Sequence, residues 1–260
     1  MDPLSARRAA QKLPPAVAYA GYRVFMAAHV PLGAARYLAD LRRYRDLPGA
    51  EPLRLRDAFP KVGDRTPATP FDAHYLYQDT WAAQRVAELG PERHVDVGSR
   101  VELPCFLTSV AAVTFVDIRP LQAEIEGLES IAGSVLEMPY PDRSLESVSC
   151  LHVVDHIGLG RYGDPLDPQG SRKALAELQR IVAPGGQLLV SLPVGRPRVC
   201  FNAHRVHDPR DVAAVFDELE LVEFSGVDDA GSFARHRRLD ELADQAYACG
   251  MYRLARPPAG

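Results

Sequence analysis

The feature that most constrains this chain is a change of hydrophobic period, from two to 3.6 and back, repeated from Phe71 onward. Short β-branched runs, "HVDVG" (94–98), "AAVTFVDI" (111–118), "SIAGSV" (130–135), "LESVSCLHV" (145–153) and "GQLLVSLPV" (186–194), read as strands. The stretches "FDAHYLYQDTWAAQRVAEL" (71–89) and "SRKALAELQRIVA" (171–183) read as amphipathic helices, the second stopped by Pro184-Gly185-Gly186. Strands joined by helical crossovers can pair only in parallel, because the chain must return to the same end of the sheet. The reading is an α/β fold: a mostly parallel sheet with helices on both faces. Asp208-Pro209-Arg210-Asp211 starts a further helix, with a capping carboxylate and a proline in the first turn. "LELVEFSGV" (219–227) and "ACGMYRLAR" (248–256) close the sheet.

Two units are expected, an N-terminal helical appendage with its linker over 1–70 and an α/β domain over 71–260. In the appendage, Val17, Gly21, Val24 and Ala28 fall on one helical face. The apolar run closes at Pro31, and "AARYLADLRRYRDL" (34–47) carries a second stripe. "PLRLRDAFPKVGDRTPATP" (52–70), rich in proline and charge, is the connector. Residues 1–60 hold ten basic and five acidic side chains within a chain of net charge −4. The overall balance excludes a nucleic-acid binder, while the basic end suits peripheral contact with a membrane or an acidic protein. The apolar run is too short to cross a bilayer and has no signal-peptide core, so a cytoplasmic protein is expected. Cys105, Cys150, Cys200 and Cys249 lie far apart with no C-x-x-C pair, and read as free thiols rather than a disulfide frame or a zinc site.

In an open parallel sheet, ligands bind beyond the carboxyl ends of the strands. "HVDVGSR" places Asp96, Gly98, Ser99 and Arg100 at the first such end, and "TFVDIRP" places Asp117 and Ile118 at the second. A carboxylate after strand two accepts hydrogen bonds from ribose hydroxyls, and a glycine after strand one lets a ligand approach the backbone. Together they point to an adenosine-containing ligand, against the alternative of a capping aspartate and an ordinary turn.

Two motifs mislead. "GLGRYG" (158–163) matches G-x-G-x-x-G but runs into "DPLDPQG" with no helix opening at its third glycine, so a dinucleotide site is rejected. His152-Val153-Val154-Asp155-His156 has the outline of an H-x-x-E-H metalloprotease signature, but His152 ends a strand. No metal site is assigned; a cation among His152, His156, Asp164 and Asp167 stays open.

Taken together, "HVDVGS", "FVDIRP", "EMPYPDRSLESVSCLHVVDHI" and "ELQRIVAPGGQLLVSLPV" resemble the class I S-adenosylmethionine-dependent methyltransferases from Phe71 onward. "HYLYQDTWAA", "HIGLGRYGDPLDPQGS" and "FNAHR" are similar to a methyltransferase-like family of unknown function whose bacterial members accompany surface-polysaccharide genes. The resemblance implies a seven-stranded Rossmann-like sheet whose last strand is antiparallel, with S-adenosylmethionine across Asp96, Gly98, Ser99, Arg100, Asp117, Ile118, Ser134 and Val135. It also departs from the pattern: Arg100 and Glu102 replace two glycines of the first loop, and Ser134 stands where an acidic residue often holds the adenine.

Methyl transfer to an alcohol requires removal of a proton, and histidine titrates in the right range. His152 is the expected catalytic base or substrate contact, against the alternative of a satisfied buried histidine; His156 reads as structural, with Asp155, the second residue assigned to catalysis, as a cap or orienting partner. The long loop "GLGRYGDPLDPQG" supplies Arg161, Tyr162 and Asp164 to a saccharide or other small polar acceptor. Asn202, His204 and Arg205 come from a second loop. Tyr77 and Trp81 read as core; Tyr75 and Gln78 as a cover for the cofactor. Two other readings remain: a catalytically silent fold that binds a partner through residues 1–60, and a nucleotide-sugar-binding protein of polysaccharide synthesis.

Overall fold

A computed structural model describes residues 15–62 and 64–259, with the side chains of 15–29 outside the description. The predicted face of Val17, Gly21, Val24 and Ala28 therefore lies outside the described residues. The chain divides into two compact units, Met1–Asp72 and Ala73–Gly260.

In the first unit, α1 (Pro15–Arg45) runs through Pro31 rather than stopping there. A proline inside a helix removes one backbone hydrogen bond, a local cost that the turns on either side absorb. Gly33 lies against the connector: a Cβ there would stand 2.7 Å from Cβ of Val62. A single 3-10 turn, Leu55–Asp57, interrupts the connector. No helix among the described residues is long and apolar enough to cross a membrane.

The second unit is built from α2 (Ala73–Leu89), β1 (Arg93–Val97), α3 (Glu102–Leu107), β2 (Ala112–Asp117), β3 (Leu128–Ala132) and β4 (Leu145–Leu151). It continues with α4 (Gly170–Ile181), β5 (Val182–Val194), β6 (Arg198–Cys200), β7 (His204–Val206) and α5 (Pro209–Ala213), then β8 (Glu220–Val227), β9 (Phe233–Ala234), α6 (Asp240–Ala243) and β10 (Ala248–Ala255). Among the described residues the sheet has eight strands, in the order β3-β2-β1-β4-β5-β10-β8-β9. The strands β1 to β5 pair in parallel, and β10 runs antiparallel to both β5 and β8. The expected seven strands are present; the eighth is β9, a two-residue edge hairpin on β8.

Side-chain alternation divides the core between the two faces. Val95 and Val97 of β1 pack with Val148, Cys150, Val190 and Leu192 against Leu175, Leu178 and Ile181 of α4. On the other face Leu151, Leu189, Val227 and Met251 pack against Trp81 and Val86 of α2 and Leu107 of α3. Each such fully buried aliphatic side chain contributes roughly 1.5–3 kcal/mol. Tyr77 stacks on Phe233 at 4.9 Å and Trp81 is buried, as a core pair should be. The indole of Trp81 and the guanidinium of Arg85 donate to the buried carboxylate of Glu223 at 3.1 and 2.9 Å, tying α2 to β8.

Two local expectations need correction. The helix α4 ends at Ile181, before the Pro-Gly-Gly stop, and β5 begins at once. Pro184–Gly186 is instead an irregularity within β5, where the β4 register jumps from Leu145↔Val182 to Ser147↔Gln187 and Gly185 takes φ +79°. The stretch read as a second loop is a hairpin, β6 paired with β7, which satisfies backbone groups a bare loop would leave to water. Asp208 does cap α5, accepting from the amide of Arg210 at 2.8 Å.

Candidate functional site

Strand order reverses at β1, with β2 on one side and β4 on the other. Crossovers leave that point on opposite faces of the sheet, so a crevice opens beyond the strand ends. A cavity of about 820 Å³ lies there, within the range of ligand sites.

Its floor is the turn after β1. Gly98 has φ +66°, a region side chains resist. A Cβ on Gly98 would meet both γ-methyls of Val153 at 3.3 Å and Oδ2 of Asp117 at 3.4 Å. Asp117 holds its other oxygen, Oδ1, on the amide of Arg119 at 2.7 Å, which leaves Oδ2 on the Gly98 side. Ser99, Arg100, Ile118, Ser134 and Val135 also line the cavity. Arg100 and Glu102, in the places of the absent glycines, pair with each other at 2.9 Å and are half exposed. Arg100 lies over the ring of Tyr75 at 4.9 Å, and Glu102 is not part of the wall. Ser134 turns its hydroxyl oxygen to the amide of Leu136 at 3.2 Å.

Asp96 is a correction: it is fully buried beneath the turn and does not line the cavity. Alternation sends it to the α2 side, opposite Val95 and Val97. One oxygen accepts the amide of Ser99 at 3.1 Å, and the other accepts the hydroxyl of Ser149. The Ser149 oxygen in turn meets Nε2 of His94 at 2.9 Å, and Nδ1 of His94 meets Ser147 at 2.8 Å. Burial pushes Asp96 up to about 7, against hydrogen bonds from Ser149 and Ser99, and pushes His94 down to about 3. This buried polar chain fixes the turn that carries Gly98.

At the other wall, His152 follows β4 at φ +56°, and its imidazole lines the cavity. Burial, then the nearby His74, His204 and His156, hold it well below the usual histidine range, so the ring is neutral. Asp155 is a second correction. It is buried but does not reach the cavity; burial raises it to about 7, and its Oδ1 has no hydrogen-bond partner among the described residues. His156 does line the cavity; burial and then Arg161 bring it to about 4.

The loop after His156 folds over the opening. Tyr162 lies against two guanidinium groups, Arg119 at 4.1 Å and Arg161 at 5.1 Å, and edge-on to His156 at 5.1 Å. Asp164 lines the cavity, but its carboxylate is occupied by the amides of Gly158 at 2.7 Å and Tyr162 at 3.2 Å. Asp167 is held by Lys173 and the amide of Gln169. The loop aspartates are thus turn-formers, their carboxylates already held by amides and Lys173.

Arg161, Asn202, His204 and Arg205 do not line this cavity. Arg161 donates to the carbonyl of Ala203 at 3.0 Å and Asn202 to that of Leu159 at 3.4 Å. The guanidinium of Arg205, nearly buried, donates to Ile157 and Ser171 at 2.7 and 3.0 Å. They fasten the β6–β7 hairpin to the loop. His204 instead packs on Tyr247 at 5.0 Å.

Residues not anticipated are Arg119, His74 and Cys249. Arg119 sat inside the quoted "FVDIRP" and could have been found by its place after a strand end. One ring nitrogen of His74, one of His152 and Sγ of Cys249 lie within 4.8 Å of one another. Nothing in the sequence joins them: they come from α2, the end of β4, and β10.

The architecture agrees with known folds. It superposes on the N-methyltransferase NodS of Bradyrhizobium japonicum, solved with S-adenosyl-L-homocysteine, with a TM-score of 0.51 at 16% identity over 76% of this chain and 92% of that one. The fold is that of the class I methyltransferases. The [4+2]-cyclase SpnF matches with a TM-score of 0.50 at 14% identity over 70% and 82% of the two chains, so this fold carries more than one chemistry. In sequence, demethylmenaquinone methyltransferases of Listeria monocytogenes serotype 4a and Listeria welshimeri are 30% and 27% identical over 129 residues. That match covers 48% of this chain, which spans 46% of the length of those relatives. Residues 128–247 match the family described as "Caenorhabditis protein of unknown function, DUF268".

Proposed function

We propose that this chain is an S-adenosylmethionine-dependent methyltransferase acting on an oxygen of a sugar or another small polar acceptor. The observation that carries the reading is the cradle at Gly98, where a Cβ would fill the space beside Oδ2 of Asp117. When bound, S-adenosylmethionine supplies an electrophilic methyl group on a sulfonium. Asp117 would hold the ribose hydroxyls with its free Oδ2, while its Oδ1 stays on the amide of Arg119. Gly98 gives the close approach that a side chain would block. Ser134, whose oxygen already accepts from the amide of Leu136, would have its hydroxyl hydrogen available to the base. Tyr75 and Tyr162 line the opening and exclude water.

Methyl transfer is an in-line displacement, so alignment of acceptor and methyl is the main task of the chain. His152 faces the cavity as a neutral imidazole, suited to contact the acceptor and hold its proton. Arg161, Asn202 and Arg205 shape the rim through the hairpin and loop they join, and His204 packs on Tyr247 beside them. Calorimetry with S-adenosylmethionine and with its demethylated product tests the reading. Binding of both in the micromolar range is expected; no binding of either at millimolar concentration overturns it.

A further inference from the structure

Cys249 is one of four cysteines that lie far apart in the sequence, yet the fold brings it beside two histidines. His74 sits in the first turn of α2, with its ring stacked on Tyr247 at 5.2 Å and edge-on to His152 at 5.6 Å. Cys249 is fully buried in β10, next to the strand that carries Ser191.

The protonation of His152 follows from its neighbours. The amide of Gln78 donates through Nε2 to Asp79 at 3.1 Å, which leaves Oε1 as its acceptor. The hydroxyl of Ser191 donates to that Oε1 at 2.6 Å and so has spent its hydrogen. Toward Nδ1 of His152, 3.4 Å away, Ser191 can only accept. The proton of the neutral ring therefore sits on Nδ1, and Nε2 carries the lone pair. That Nε2 is buried with no hydrogen-bond partner among the described residues. A metal-binding histidine has this arrangement: one nitrogen fixed through its N–H, the other bare.

We infer that His74, His152 and Cys249 form a zinc site whose fourth position opens to the cavity. Two imidazoles and a thiolate are the borderline-to-soft donors zinc selects, and calcium or magnesium would need oxygen ligands instead. The ligand atoms lie within 4.8 Å of one another, so small side-chain rotations bring them onto one ion with bonds of about 2.0–2.3 Å. Three protein ligands with an open fourth position is the pattern of zinc sites that act on a substrate rather than staple a fold. Of the three residues His152 alone lines the cavity, with its Nε2 and Cys249 buried behind that wall, so the fourth position lies at the back of the acceptor side.

Zinc binding is independent of the methyl-transfer reading; the acceptor role that follows rests on that reading and takes the place of proton transfer to His152. A hydroxyl on the metal loses its proton to solvent water more readily than a free one. Its oxygen electron pair then forms the bond to the methyl carbon as the carbon–sulfur bond pair of the sulfonium returns to sulfur, leaving a neutral thioether. His152 serves as ligand in that arrangement, and no side chain has to take the proton.

The full chain, stripped with a chelator, is titrated with Co²⁺ alone. One Co²⁺ per chain is expected, with the intense visible bands of a tetrahedral ion and a thiolate charge-transfer band, both abolished by equimolar Zn²⁺. Cys249→Ser should remove the charge-transfer band, and His74→Gln should weaken metal binding about tenfold or more. Cys105→Ser should change neither. His74 begins a helix and is only partly buried, so its variant keeps the test decisive if Cys249→Ser fails to fold. Absence of stoichiometric uptake, or a charge-transfer band that survives in folded Cys249→Ser, overturns the site. Calorimetry of the stripped chain with S-adenosylmethionine reports separately on donor binding, so either reading can fail alone.

Discussion

A Cβ placed on Gly98 would stand 3.4 Å from Oδ2 of Asp117, in the space between the ends of β1 and β2. Gly98→Ala therefore both fills the donor cradle and forces a side chain into left-handed backbone, at about 1–2 kcal/mol. Thermal unfolding should fall by several degrees, and affinity for S-adenosylmethionine should drop at least about tenfold, corresponding to about 1.4 kcal/mol. Unchanged affinity by calorimetry would mean that no ligand approaches this turn.

Asp117→Asn keeps an oxygen for the amide of Arg119 but replaces the second carboxylate oxygen with a donor. Charge-assisted hydrogen bonds contribute about 1.5–3 kcal/mol, so donor affinity should fall roughly 10- to 150-fold. Unfolding in urea should be little altered, because the turn contact survives. A loss of stability equal to the loss of affinity would argue instead that Asp117 is a structural cap.

Two guanidinium groups, of Arg119 and Arg161, lie over the ring of Tyr162. Such exposed cation–π contacts are worth about 0.5–1 kcal/mol, too little to decide whether the domain folds. Tyr162→Ala should leave the melting temperature nearly unchanged and speed dissociation of S-adenosylmethionine in stopped-flow measurements. Identical dissociation rates would show that the loop does not cover the bound donor.

Glu223 is the domain's buried anion. Burial alone would raise it, but Ser225, Arg85 and Trp81 outweigh that and bring it from 4.5 to about 2. A depressed carboxylate stabilises the fold above its unfolded pKa and loses that contribution as pH falls through the folded one. The window is about pH 4.5 down to about 2, and the contribution above it is about 3 kcal/mol. Glu223→Gln should be destabilised by about that amount at pH 7, leaving the fully buried Arg85 with the half-exposed Glu88 as its remaining charged partner. Urea titrations at pH 7 and pH 3 should show the gap between variant and wild type narrowing in acid.

The strands and helices were legible because backbone geometry repeats locally, and burial writes that repeat into neighbouring residues. Asp117 could be placed at a strand end from "TFVDI" alone, as could Gly98 from "HVDVG". Asp96 shares the same sequence context, yet alternation turns it under the turn, onto Ser99 and Ser149. The loop side chains were misread for a related reason. A polar residue on a long connection looks the same whether it greets a ligand or, like Arg205 and Asp164, satisfies carbonyls and amides of its own loop.

By itself the sequence determined the α/β order and the acidic and glycine positions that frame a cavity, while the antiparallel last strand was implied by the family resemblance. The tertiary structure alone decided which of those groups face it, and it brought His74, His152 and Cys249 within ligand distance across 175 residues of chain. Periodicity is a property of one segment, whereas the meeting of three segments depends on strand order and on which face each strand buries.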